Sequence, residues 1–97
     1  SEPRIVRSGT VSVRNGTDIA GAAASAAEKV GELGYTVDSG NANSEFSETL
    51  VVYETPDQQE HAQEIVDALG VGRTVQNNNE YLFTTDFLVV VGADWPQ

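Results

Sequence analysis

Apolar residues recur along the chain with two different periods, which predict where strands and helices lie. Thr10–Arg14 alternate polar and apolar side chains, which is typical of a half-buried strand. Thr49–Tyr53 and Phe87–Val91 are apolar and rich in β-branched residues without clean alternation, so we expect buried strands, the first of them central. Tyr35–Val37 predicts a further strand and Arg73–Gln76 a short one.

Two segments between these strands have the period of an amphipathic helix. The first is expected to begin with Thr17 or Asp18 as its N-cap and to end with Gly34 in a left-handed conformation. Its apolar stripe consists of Ile19, Ala23, Ala26, Val30 and Leu33. The second begins at Thr55, which a proline follows, and ends at Gly70. Its stripe consists of Ala62, Ile65, Val66 and Leu69.

The remaining segments are polar and rich in turn residues. Asp38–Ser47 predicts a loop and Asn77–Asn79 a turn, while Tyr81–Phe83 is compatible with a strand or a packed loop. The order strand, helix, strand, strand, helix, strand predicts an α/β (α+β) fold, with a small mixed sheet of about four to five strands and two helices. Residues 1–9 are expected to be linker or residues added for expression, and residues 10–97 one domain.

Composition narrows the classes of partner. The hydrophobic fraction of 39% is enough for one modest core, and a chain of 97 residues is too short for two domains. Fifteen acidic against five basic residues give a net charge of -10, which repels phosphate backbones and anionic lipids. We therefore expect no nucleic-acid partner. The chain has no cysteine, and its longest apolar run, Phe87–Val91, is too short to cross a bilayer, so any membrane anchor is expected outside this chain.

Several short motifs keep an order and spacing that point to one family. They are Val11–Thr17 (VSVRNGT), Gly34–Val37 (GYTV), Gly40–Ala42 (GNA), Thr49–Tyr53 (TLVVY), Ala68–Gly70 (ALG) and Val89–Trp95 (VVVGADW). With these motifs the chain resembles the C-terminal domain of LytR-type cell-wall proteins from about Thr10 to Trp95.

The resemblance implies an extracytoplasmic place in a bacterial envelope. Such domains follow the catalytic domain of many LytR-CpsA-Psr proteins of actinobacteria, or stand on membrane-anchored proteins that lack it. That catalytic domain transfers lipid-linked glycopolymers to peptidoglycan with arginines and acidic residues around a polyprenyl-phosphate pocket, and nothing in this chain resembles it. We expect neither transferase activity nor a cofactor, and the charge disfavours the family's older label of transcriptional attenuator.

Candidate binding residues come from a general property of open α/β sheets, whose ligands bind at the carboxyl ends of parallel strands. If the first, third and last strands are parallel neighbours, Asn15–Thr17, Thr55-Pro56 and Gly92–Trp95 meet at one edge. Polar side chains there are candidates to hydrogen-bond a sugar or a peptide amide, and an aromatic ring is a candidate platform for a sugar. These candidates are Asn15, Thr17, Asp94 and Trp95, and Asn41 of the predicted loop is a further candidate.

The same residues also have ordinary structural uses, which we consider more common. Asn15 and Gly16 would form the turn, Thr17 would cap the helix, Asp94 would accept from loop amides, and Trp95 would fill the core. No metal site is expected, because the acidic residues of the second helix are typical of a solvated face. His61, the only histidine, is expected at the surface without a nucleophile beside it, so no catalytic site is predicted.

These observations favour a non-catalytic module that binds peptidoglycan, another envelope glycan or an envelope protein. The alternative is an assembly or regulatory domain that contacts only protein, through an apolar patch or a sheet edge near Tyr81–Phe83. An enzyme would need a deep pocket with perturbed carboxylates.

Overall fold

Five strands and two helices form the fold in the computed structural model, which describes residues 9–19, 21–42, 45–77, 81, 83 and 85–95. In chain order they are β1 (Thr10–Asn15), α1 (Ala22–Gly31), β2 (Thr36–Asn41), β3 (Leu50–Tyr53), α2 (Gln59–Leu69), β4 (Arg73–Gln76) and β5 (Phe87–Val91), with a 3-10 turn, Pro56–Gln58, before α2. The predicted α/β class and the predicted order of elements are confirmed.

The sheet consists of two parallel groups that run in opposite directions. Its order is β2-β1-β5-β3-β4. β1 is parallel to both β2 and β5, and β3 is parallel to β4, whereas β3 and β5 are antiparallel. The expectation that β3 runs parallel to β1 and β5 is therefore wrong, and Thr55-Pro56, which follows β3, lies at the opposite edge from Asn15. β3 is an inner strand, as expected.

Both helices cover the same face of the sheet. The stripes of α1 and α2 are buried there through Ala26, Val30, Ile65 and Leu69, together with the odd-numbered residues of β1, β3 and β5. The sequence predicted these stripes because a 3.6-residue period places such residues on one side of a helix.

The opposite face is divided into an apolar and a polar half. Leu50, Val52, Leu88 and Val90 are buried under partly exposed side chains from loops and from β4: Ala42, Phe46, Val75, Tyr81 and Phe83. Tyr81 and Phe83 therefore lie on this face, in a segment without strand pairing at those two residues, and Leu82 lies outside the described residues. Beside them, the face of β1 and β2 carries Ser12, Arg14 and Asp38.

The strand β2 is longer than predicted. Asp38–Asn41 were expected to be loop, but all six residues of Thr36–Asn41 are paired in register with β1. The reason is tertiary structure, because hydrogen bonds to the neighbouring strand β1 outweigh the preference of residues such as Gly40 for turns. Asn43 and Ser44 of the predicted loop, and Asn78 and Asn79 of the predicted turn, lie outside the described residues.

The two helices differ in how well their ends were predicted. α2 has the predicted capping residues at both ends: Gln58 Oε1 accepts from Thr55 N at 3.1 Å before the helix, and Gly70 ends the helix with φ 83. α1 instead begins at Ala22, with Gly21 at φ 85 as N-cap, so Thr17 and Asp18 are not its caps. The helix ends at Gly31, and a turn then leads to Gly34, which has a positive φ as expected.

Candidate functional site

Three strand ends meet at one edge of the sheet and bring most of the candidate residues together. Asn15 is in register with Asn41 on β2 and with Val91 on β5. Thr17 follows β1 directly, and Asp94 follows β5. We call this the carboxyl edge. It contains Asn15, Thr17, Asn41 and Asp94. The topology of parallel strands predicted this position for Asn15, Thr17 and Asp94.

Asn15 and Thr17 form a local network at this edge. Asn15 Oδ1 accepts from Thr17 N at 2.9 Å and from Thr17 Oγ1 at 2.6 Å, and Asn15 Nδ2 donates to Ile19 O at 2.9 Å. Thr17 Oγ1 in turn accepts from Ile19 N at 3.0 Å. These contacts order the turn between β1 and α1, which is the structural use expected of an Asx turn.

Asp94 ties the end of β5 to the start of β3. Its Oδ1 accepts from Thr49 N at 2.8 Å and from Thr49 Oγ1 at 2.7 Å, and Thr49 Oγ1 accepts from Gly92 N at 3.1 Å. Thr49 is fully buried, so its hydroxyl depends on these partners. An amide donor to Asp94 was expected, but Thr49 could not be predicted as the partner, because the bonded residues lie more than forty positions apart along the chain.

Close backbone contacts hold the same loops together. Phe46 N donates to Gly16 O at 2.8 Å, and Ala93 N donates to Phe46 O at 3.0 Å. A Cβ on Gly92 would lie 2.2 Å from the backbone of Glu48, and one on Gly16 would lie 2.8 Å from Phe46 Cδ1. Both glycines are therefore required by close approach rather than by a ligand.

Trp95 and Asn41 occupy contrasting positions. Trp95 is 6% exposed and belongs to the core between sheet and helices, so its ring presents no open face for stacking on a sugar. Asn41 is exposed at the end of β2. Of the five candidates, Asn41 and Asp94 are therefore exposed at the carboxyl edge, and ligand binding by the set remains a prediction.

Charged groups elsewhere form a few weak contacts. Arg14 Nη2 lies 3.3 Å from Asp38 Oδ2, and Arg73 Nη2 lies 3.2 Å from Glu48 Oε1, both at the surface. His61 is half-buried rather than fully at the surface, with Nδ1 3.9 Å from Glu64 Oε1. In the described residues, no three His, Asp or Glu side chains are grouped to hold a metal ion.

The comparisons with known proteins agree with this fold. A family model described as "LytR cell envelope-related transcriptional attenuator" matches residues 8–95, which is nearly the whole chain. The chain belongs to this LytR C-terminal family. A solution structure of the C-terminal domain of RV0431 matches with a TM-score of 0.59 and 24% sequence identity, over 95% of this chain and 77% of that one. No curated protein matches the sequence.

Membership of the LytR C-terminal family makes this a cell-envelope-related domain. The solved relative supports the arrangement of sheet and helices. Over the described residues, no helix has the length and apolar character needed to span a membrane.

Proposed function

We propose that this chain is a non-catalytic binding module that lies outside the cytoplasm, and that its ligand is peptidoglycan or another glycan of the envelope. The observation that carries the proposal is the match of a cell-envelope family over residues 8–95. Attachment to a glycan would localise whatever domain or anchor accompanies it.

The chemistry of the carboxyl edge supports a binding role rather than a catalytic one. Side-chain atoms of Asn15 and Thr17, and Oδ1 of Asp94, are engaged in hydrogen bonds that order the loops. Groups held in this way are poorly placed to exchange protons with a substrate, since a general acid or base must reach the reacting atom. Ordered loops that present an exposed amide such as Asn41 are suited to recognise hydroxyl groups.

The charge of the domain restricts the ligand further. A net charge of -10 favours neutral sugars over phosphate-rich polymers, because like charges repel across the interface. The same argument supports the expectation that nucleic acid is not a partner.

Titration of the 15N-labelled domain with soluble, uncharged peptidoglycan glycan fragments tests the proposal. We expect amide shifts to concentrate at the carboxyl edge, at Asn15, Thr17 and Asn41. Asn41→Ala should weaken binding about threefold to tenfold, the size expected for the loss of one or two hydrogen bonds. Gln63→Ala, on the exposed side of α2, is the matched control and should leave binding unchanged. Saturating fragment without any shift would rule out the glycan proposal.

An envelope protein is the alternative ligand. The observation that favours it is structural: β2 is an edge strand, and its side chains are mostly exposed.

A further inference from the structure

The strand β2 leaves one side of its backbone open in the described part of the chain. It is one of the two edge strands of the sheet and pairs with β1. Thr36 N donates to Gly9 O at 3.0 Å and Ala42 N donates to Asn15 O at 3.0 Å, so the even-numbered residues direct their backbone groups toward β1. Because successive residues of a strand alternate, the outward N–H and C=O groups are those of Val37, Ser39 and Asn41.

The other edge of the sheet is a poorer template. β4 has four residues, against six in β2. Arg73 N donates to Thr49 O at 3.2 Å and Asn77 N to Tyr53 O at 2.7 Å, which leaves Thr74 and Gln76 with outward backbone groups. At about 3.3 Å per residue, β2 offers roughly 20 Å of open edge.

Side chains on both faces of β2 add features that a further strand could contact. On the helix side, Val37 is partly buried and packs against the main core, so a neighbouring apolar side chain would extend that core. On the other side, Asp38 pairs with Arg14 at 3.3 Å, but its side chain is still 75% exposed and can contact a further charge. Gly40 has no side chain, and its Cβ position would lie 3.5 Å from Arg14 Nη1, so the Arg14 side chain lies over this end of the strand.

Charge decides between the possible occupants of this edge. A second copy of the chain would bring two domains of net charge -10 together along strands that each carry Asp38. Like charges opposed in this way destabilise strand pairing, whereas a lysine or arginine beside Asp38 stabilises it.

We propose that the open edge of β2 docks an extended, basic segment of a partner protein, which pairs as a sixth strand. The segment places a lysine or arginine beside Asp38 and an apolar side chain beside Val37. The backbone hydrogen bonds supply affinity and these two positions supply specificity, as in other cases of strand addition. The proposal does not depend on glycan binding at the carboxyl edge, although the two surfaces meet at Asn41, the last residue of β2.

Amide hydrogen exchange of the labelled domain, measured with and without a synthetic peptide, tests this docking. The probe alternates lysine and valine over about seven residues, the length that matches β2 at roughly 3.3 Å per residue. We expect the peptide to slow exchange at least about tenfold at Val37, Ser39 and Asn41, because their N–H groups gain partners. Thr36, Asp38 and Gly40 should change little, since their N–H groups already face β1. Equal protection at odd and even positions, or none, would overturn the proposal.

Two changes separate backbone pairing from simple charge attraction. Ser39→Pro removes an outward N–H and should weaken peptide binding at least about tenfold, while an edge strand tolerates proline there. Gln76→Pro makes the same change on β4 and should leave affinity within about twofold if β2 is the docking edge. The same peptide with every backbone amide methylated should lose binding to the unaltered protein, which decides the question even if Ser39→Pro fails to fold. Equally tight binding of the methylated peptide, or of one with glutamate in place of lysine, would contradict the proposal.

Discussion

The buried side chain of Thr49, which is not among the candidates found from the sequence, joins two distant segments at the carboxyl edge. Its hydroxyl donates to Asp94 Oδ1 at 2.7 Å and accepts from Gly92 N at 3.1 Å. Both bonds cross between the start of β3 and the loop after β5, so a single hydroxyl orders two segments that are distant in sequence. Asp94 therefore has a structural role in addition to being a candidate ligand-binding residue.

Replacing Thr49 with valine tests this role. The shape of the side chain is nearly kept, but Gly92 N loses its acceptor and Asp94 loses a donor. Leaving a buried polar group without a partner costs about 1–3 kcal/mol, so we expect the free energy of unfolding to fall by that amount. Urea denaturation measures it, and Thr36→Val at an exposed position of β2 is the control. A loss no larger than that of the control would show that the Thr49 network contributes little.

At the level of elements, features that depend on neighbouring residues could be predicted from the sequence, and features that depend on pairing between distant strands could not. The ends of α2 could be predicted because Thr55, Gln58 and Gly70 act within a few residues of one another. The direction of β3 could not be predicted, because it depends on antiparallel pairing with β5, which begins more than thirty residues later. The length of β2 was missed for the same reason, since its partner β1 decides where it ends.

The candidate site shows the same division. The topology of parallel strands correctly placed Asn15 and Asp94 at one edge, but the sequence could not reveal that Asp94 accepts from Thr49. Burial of Trp95 could be predicted from its large apolar side chain, whereas the close contact of Gly92 with Glu48 could be seen only in the folded structure.

Two glycines of different elements provide a paired prediction. A Cβ on Gly92 would lie 2.2 Å from Glu48 backbone atoms, so Gly92→Ala should force the loops apart and lower the free energy of unfolding by at least about 1–3 kcal/mol. Gly31 ends α1, and an added Cβ there meets nothing within 4 Å. Gly31→Ala should therefore stabilise the domain by about 0.5–1 kcal/mol, because alanine loses less conformational entropy in a helix. Equal effects of the two variants in urea denaturation would contradict this account.

At the scale of the whole molecule, the excess of negative charge is balanced by few specific contacts among the residues that the structure describes. The ion pairs Arg14–Asp38 and Arg73–Glu48 are exposed, and such pairs contribute about 0–1 kcal/mol. A net charge of -10 on 97 residues therefore leaves a repulsion that opposes the compact state.

Salt should relieve that repulsion. Raising ionic strength from about 0.01 M to about 0.15 M shortens the Debye length from roughly 30 Å to roughly 8 Å, which screens charges across a domain of this size. We expect the thermal midpoint at neutral pH to rise. A neutral osmolyte at matched osmolarity controls for general solvent effects, and a midpoint that falls with salt would indicate that specific ion pairs dominate.

The central claim, that this domain binds an envelope glycan, is tested most directly by co-sedimentation with purified peptidoglycan sacculi at two ionic strengths. The account predicts that the domain sediments with sacculi and that retention does not decline as ionic strength rises from about 0.01 M to about 0.15 M, because screening weakens attraction between opposite charges but not contacts to neutral sugars. Retention should also fall in Asn41→Ala and persist in Gln63→Ala. A domain that stays in the supernatant at both ionic strengths would contradict the claim.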